Sequence, residues 1–179
     1  MRRRSVCQLG LTAAMLMAPA VVWAAPPELA HLRQLAQAKM RFFGLLIYDI
    51  RLWALEPVDA QSWAQQVLAL ELTYARSLSG REIAKRSLDE MRRQTEIGAS
   101  QAQAWLHEME AAFPDVKAGD RISGLNEPAE VISFFVNGRL QRRITDPLFA
   151  RLFLGIWLAP QSSEPGLRKQ LLASVGDGR

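Results

Sequence analysis

DPLFARLFLGIWLAPQSSEPGLRKQLL, residues 146–172, sets two helix signals around one proline-bounded turn. Asp146 suits an N-cap and Pro147 the first helical position, while Phe149, Leu152, Phe153 and Ile156 recur at the spacing of one buried helix face. Pro160 stops that helix. Ser163 then reads as a second N-cap, with Glu164 and Pro165 in the first turn and Leu167, Leu171 and Leu172 on the next apolar face. Gly155 in mid-helix costs about 1 kcal/mol relative to Ala, so it predicts a close approach to another backbone.

Working outward toward the N-terminus, VISFFV (131–136), Asn137-Gly138 and RLQRRI (139–144) form a hairpin signal, because Asn-Gly supplies the positive φ angles of a type I′ turn. A short strand over Arg121–Leu125 precedes it. Before that come two helices. The first opens on Ser79 with Glu82 in a capping-box pattern and buries Ile83, Ala84, Ser87, Leu88 and Met91; the second, about Ser100–Phe113, turns Ala104, Trp105, Met109 and Ala112 inward. Arg81, Lys85, Arg86, Asp89, Arg92 and Arg93 read as a solvated face, and Asp89 and Glu90 as exposed neighbours.

QVLALELTYAR (66–76) alternates as a half-buried strand, with Leu68, Leu70, Leu72 and Tyr74 on one face and Glu71 and Thr73 on the other. KMRFFGLLIYDIRLWA (39–54) is extended, with Gly44 as a bend or bulge. Leu46, Tyr48, Ile50 and Leu52 share one face, and Asp49 and Arg51 are expected to pair on the other. Glu28–Ala38 has helical spacing in Leu29, Leu32, Leu35 and Ala36. Runs of strands and helices without strict alternation indicate an α+β fold with an antiparallel sheet.

Residues 1–24 read as a signal peptide: Arg2, Arg3 and Arg4, an apolar run from Leu9 to Trp23, and the cleavage pattern Val22-Trp23-Ala24. Residues 25–179 are then an exported domain, periplasmic or secreted, with no stable membrane insertion after cleavage. Arg3-Arg4-Ser5-Val6 also weakly resembles a twin-arginine signal, leaving the export route open. The whole chain carries 22 Lys+Arg against 18 Asp+Glu, and three of those arginines leave with the leader, so the remainder is near +1. The basic pI of about 9.7 is thus no argument for nucleic-acid binding. The one cysteine, Cys7, leaves too, which excludes disulfides, a thiol nucleophile and thiolate metal sites from the mature domain. His31 and His107 lie in separate elements, and no GxSxG, phosphate loop, HExxH or CxxC occurs. Nothing calls for a metal or cofactor.

Four ordered blocks, MRFFGLLIYDIRLW (40–53), ALELTYARSLSGREIAKRSLDEM (69–91), FPDVKAGDRISGL (113–125) with FFVNGR (134–139), and FARLFLGIWLAPQSSEPGLRKQLL (149–172), together resemble the chalcone isomerase-like family in its bacterial exported branch. The resemblance implies an open-faced β-sandwich: an antiparallel sheet with a helical layer on one face and a cleft between. It also implies two precedents, plant enzymes that close a chalcone to a flavanone and relatives that bind fatty acids without catalysis. The plant enzymes use an arginine, a strand threonine, a helix tyrosine and asparagine, and a late polar residue. By block alignment these fall at Arg41, Tyr48, near Ile83, near Glu90 and near Leu152. Ile83 and Leu152 cannot donate to a developing enolate, so the catalytic set is largely missing.

Arg41 and Tyr48 are the candidate ligand-binding pair, a cationic donor and a phenol holding one carboxylate while Phe43, Trp157 and Trp53 line the cleft for an apolar tail. The plainer alternatives are an exposed strand arginine, a core aromatic with its hydroxyl at the rim, and ordinary core aromatics. Three functions follow: non-catalytic carriage or sensing of a small apolar or amphipathic, fatty-acid-like ligand; an isomerase or lyase for a chalcone-like phenolic; or a structural, partner-binding domain whose cleft is filled.

Overall fold

The computed structural model describes residues 25–127 and 131–173; the expected leader, residues 1–24, lies outside the described residues. Ten-residue strands β1 (Arg33–Phe42) and β2 (Leu45–Ala54) form an antiparallel hairpin, followed by β3 (Leu68–Tyr74). Helices α1 (Gly80–Arg92) and α2 (Ala99–Ala112) then lead to β4 (Arg121–Glu127), β5 (Val131–Val136) and β6 (Arg139–Ile144). Helices α3 (Pro147–Leu158) and α4 (Pro165–Leu172) close the described chain. The six strands form one antiparallel sheet in sequence order, and the helices lie against one face. This is the α+β open-faced sandwich that the blocks imply.

The helix expected over Glu28–Ala38 is a correction. Its N-terminal part is a short 3₁₀ turn, Pro27–Leu29, and the rest is β1. Helical spacing of four small or apolar residues is outweighed by a full ladder to β2, in which Ala38 pairs with Ile50 and Met40 with Tyr48. Leu29 and Leu32 instead cross to the other side of the sheet and pack on Trp53, Ala69 and Leu125.

Helix α3 is the pillar of the helical layer. Asp146 caps it as expected, accepting from Leu148 N–H at 3.0 Å and Phe149 N–H at 3.1 Å, and it also accepts from Trp105 Nε1 at 2.9 Å, tying α2 to α3. Nine consecutive or near-consecutive residues from Phe149 to Leu158 are buried, more than one stripe, because α3 is covered on several sides. Gly155 does mark a close approach, but to a side chain: a Cβ there would collide with the Gln94 amide, whose Nε2 donates to Leu152 O at 2.7 Å. Helix α4 begins one residue later than read, with Glu164 at its N-cap; Ser162, not Ser163, supplies the nearby hydroxyl, accepting from Glu164 N–H. Likewise Ser79 makes no side-chain cap on α1, and the Gly80 N–H is taken by Asp115. Ala104 faces out of α2.

Candidate functional site

Between the helix-covered face of the sheet and α1 and α3 lies a cavity of about 360 Å³. Its floor is Leu70 and Leu72 of β3, Ile122 and Gly124 of β4, and Phe134 of β5. Gly124 permits this floor, since an added Cβ would press on the Phe134 ring at 3.3 Å. The roof is Ile83 of α1 with Phe153, Ile156 and Trp157 of α3. The β1–β2 hairpin supplies one wall through Met40, Phe42, Ile47 and Tyr48. The interior is therefore not packed solid, the condition set for a filled cleft.

One end of the cavity is polar. Tyr48 on β2 pairs in register with Tyr74 on β3, and their rings meet edge to face at 5.9 Å. Trp157 Nε1 donates to the Tyr48 hydroxyl at 3.0 Å. Burial holds the Tyr48 hydroxyl neutral, with its pKa pushed up to about 12, and pushes Tyr74 up as well. Both phenols are thus hydrogen-bond donors at any ordinary pH. Glu164, Glu90 and Arg86 lie near enough to act on the Tyr48 hydroxyl, and Glu82 of α1 and Ser163 from the turn before α4 also line the cavity. Arg86 Nη2 meets Glu90 Oε1 at 2.6 Å, an i,i+4 ion pair, and Arg93 Nε approaches Glu90 Oε2 at 3.5 Å.

Of the residues singled out from the sequence, the structure brings Tyr48 and Trp157 together on the cavity wall. It leaves Arg41 and Phe43 outside the cavity lining. Arg41 is exposed, and its Nη1 donates to Gly44 O at 3.0 Å across the hairpin turn. Strand alternation sets this direction, since Met40 and Phe42 on either side of Arg41 line the cavity, and the register shift at this point leaves its extra residue, Ile47, on β2. Phe43 is 91% exposed at the tip, and Trp53 faces the opposite side of the sheet in the cluster with Leu29 and Leu32. The cation at the cavity is Arg86, which the sequence reading placed on a solvated face. Glu90, read there as exposed beside Asp89, is only 7% exposed. The missed signal is the helix period: Ile83, Arg86, Ser87 and Glu90 follow three-and-four spacing, so α1 turns charged residues toward the cavity beside its apolar stripe. Tyr74 carried a signal too, being the last residue of an inward-facing alternation. Asp49 pairs with Lys39 at 2.9 Å and Arg51 with Glu71 at 2.8 Å; the Asp49–Arg51 pair does not form.

A family model described as chalcone isomerase-like matches residues 43–173. The chain belongs to the chalcone isomerase-like family. It is also similar to a Haemophilus influenzae protein described as uncharacterized, at 27% identity over 146 residues, covering 82% of this chain and 70% of the relative. Among solved structures, an Arabidopsis thaliana fatty-acid binding protein superposes with a TM-score of 0.63 at 14% identity, covering 83% of this chain and 95% of the plant protein. At that identity the likeness shows the fold. In this chalcone isomerase-like chain, Ile83 and Glu90 line the cavity where the resemblance places a tyrosine and an asparagine, whereas Leu152 is buried in α3 outside the lining.

Proposed function

We propose that the chain is a non-catalytic carrier or sensor that binds one small apolar or amphipathic molecule in the cleft between sheet and helices. The observation that carries this reading is an apolar cavity of about 360 Å³ whose polar groups sit at one end, a size at the lower end of small-molecule sites. The fatty-acid binding protein that shares the fold supports a fatty-acid-like body for the ligand. The roof position at which an enolate would need a donor is the hydrocarbon of Ile83. An acid headgroup was expected at Arg41; that guanidinium is committed to Gly44 O, so the reading here concerns the apolar body of the ligand. The leader pattern in residues 1–24 supports an exported location, periplasmic or secreted, which N-terminal sequencing of the processed protein would check at Ala25.

Native mass spectrometry of the purified protein tests the binding reading. One co-purified lipid-like molecule per chain, or saturable uptake of an added one, is the expected result. Turnover of naringenin chalcone that is lost in Tyr48→Phe would replace the carrier by an isomerase.

A further inference from the structure

Resting on the carrier reading, the polar end of the cavity carries more information than its apolar walls, because two of its groups have unused hydrogen-bonding capacity. The Tyr48 oxygen already accepts the Trp157 indole N–H, so the phenol's own hydrogen remains to be donated, and no acceptor among the described residues takes it. Glu90 is buried, its Oε1 is filled by Arg86, and its Oε2, shut from solvent, has Arg93 Nε at 3.5 Å but no hydrogen bond among the described residues. A buried polar atom left in that state costs free energy that a matching ligand group would recover. Tyr48 and Glu90, which both line the cavity and act on each other electrostatically, thus offer one donor and one acceptor.

The cavity lining carries more carboxylates than cations. Glu82, Glu90 and Glu164 line the cavity against a single lining cation, Arg86, and Arg86 is already paired with Glu90. Lys85 offsets Glu82 at 3.7 Å and Arg93 approaches Glu90 at 3.5 Å, whereas Glu164 has no ion pair among the described residues. The Tyr48 hydroxyl registers the result: after burial and the Trp157 bond, Glu164 and Glu90 raise its pKa and Arg86 only partly opposes them. A ligand carboxylate would add a further negative charge beside Glu90 and Glu164. An ammonium would suit the carboxylates but has no lone pair for the Tyr48 hydrogen, and an ester would accept from Tyr48 while leaving Glu90 unsatisfied.

We propose that this end of the cavity selects an uncharged hydroxyl head, an alcohol that accepts from Tyr48 and donates to Glu90, and discriminates against a carboxylate on the same chain. Four probes of matched length separate the possibilities by calorimetric titration near pH 8: 1-nonanol, methyl octanoate, nonanoate and nonylamine. The alcohol is expected to bind about tenfold more tightly than nonanoate, with the ester between them. Tyr48→Phe should weaken alcohol and ester alike by about tenfold. Glu90→Gln should narrow the gap by strengthening nonanoate, and Glu164→Gln, in the turn before α4, should do the same if loss of the Glu90 ion pair impairs folding. Nonanoate or nonylamine binding as tightly as nonanol would overturn the headgroup assignment and leave the carrier reading intact. Binding of none of the four would overturn both.

Discussion

The two faces of the sheet are finished in opposite ways. The helix-covered face buries most of the apolar core yet keeps a cavity against Leu70, Leu72 and Phe134. The other face carries a small cluster of Leu29, Leu32, Trp53, Ala69 and Leu125, and beside it a charged network. There Glu71, 1% exposed, takes Arg51 at 2.8 Å and lies 3.5 Å from Arg121, while Ser123 donates to Glu28 at 3.2 Å. The N-terminal turn of residues 25–32 lies over this face through Leu29 and Leu32. One face spends its complementarity on holding the sheet; the other withholds it and leaves room for a guest.

The largest effect should come from breaking the sealed face. Glu71→Ala removes the buried carboxylate that Arg51 meets at 2.8 Å and Arg121 at 3.5 Å, and is expected to destabilise by about 2–3 kcal/mol in denaturant unfolding. Because Glu71 points away from the cavity, the folded fraction should still bind 1-nonanol with unchanged affinity. A loss below about 1 kcal/mol would make the Glu71 network a surface feature and dissolve the contrast.

Filling the open face should do the reverse. Leu72→Phe enlarges a floor residue into existing space, so it should cost less than the roughly 1–3 kcal/mol of ordinary overpacking while abolishing ligand uptake. Full destabilisation together with retained binding would mean that the floor is already packed and the guest sits elsewhere.

Alkali gives a reading of the open face without mutation. The chain has two tyrosines, and both stand at the polar end of the cavity. Burial raises Tyr48 from 10.0 to about 12 and raises Tyr74 too. A pKa raised in the fold means that the stabilisation is complete below the unfolded value of 10.0 and is lost as pH climbs through the folded one. Tyrosinate absorbance should therefore stay absent from the folded protein past pH 10.0 and appear together with unfolding toward pH 12. Smooth ionisation of either phenol near its free value, with the fold intact, would show that water reaches the pocket end.

How far such features are legible in sequence depends on whether the deciding contact is local. The α3 cap was legible because Asp146 and Pro147 act on their own helix, and the alternation of Leu68, Leu70, Leu72 and Tyr74 because one strand face is enough to display it. Strand β1 was not, since its identity comes from a ladder to β2 that helical spacing in Leu29, Leu32 and Leu35 does not reveal. The site divides along the same line. Tyr48 and Trp157 were reachable as aromatics on inward faces, but the inward turn of Arg86 and Glu90 is fixed by how α1 rotates on the sheet, and the outward turn of Arg41, between the inward Met40 and Phe42, by how β1 pairs with β2. Rotation and pairing are tertiary facts.

The two hairpin turns state the same lesson on the smallest scale. Asn137-Gly138 and Phe43-Gly44 adopt almost the same backbone, with φ of 50° and 82° in one and 48° and 80° in the other. In the first, Asn137 suits the left-handed position and its side chain works locally, accepting from Arg121 N–H at 2.9 Å and donating to Asp120 at 3.0 Å. The second puts an aromatic where the backbone disfavours it, with the ring in solvent beside Phe42, at 4.6 Å. Phe43→Asn should therefore stabilise the protein by up to about 1 kcal/mol, seen as a raised unfolding midpoint, with ligand affinity unchanged because Phe43 lies outside the cavity lining. If Phe43→Asn instead weakens ligand binding at unchanged stability, the tip contributes to ligand capture, and the boundary of the site drawn at Phe42 has to move outward by one residue.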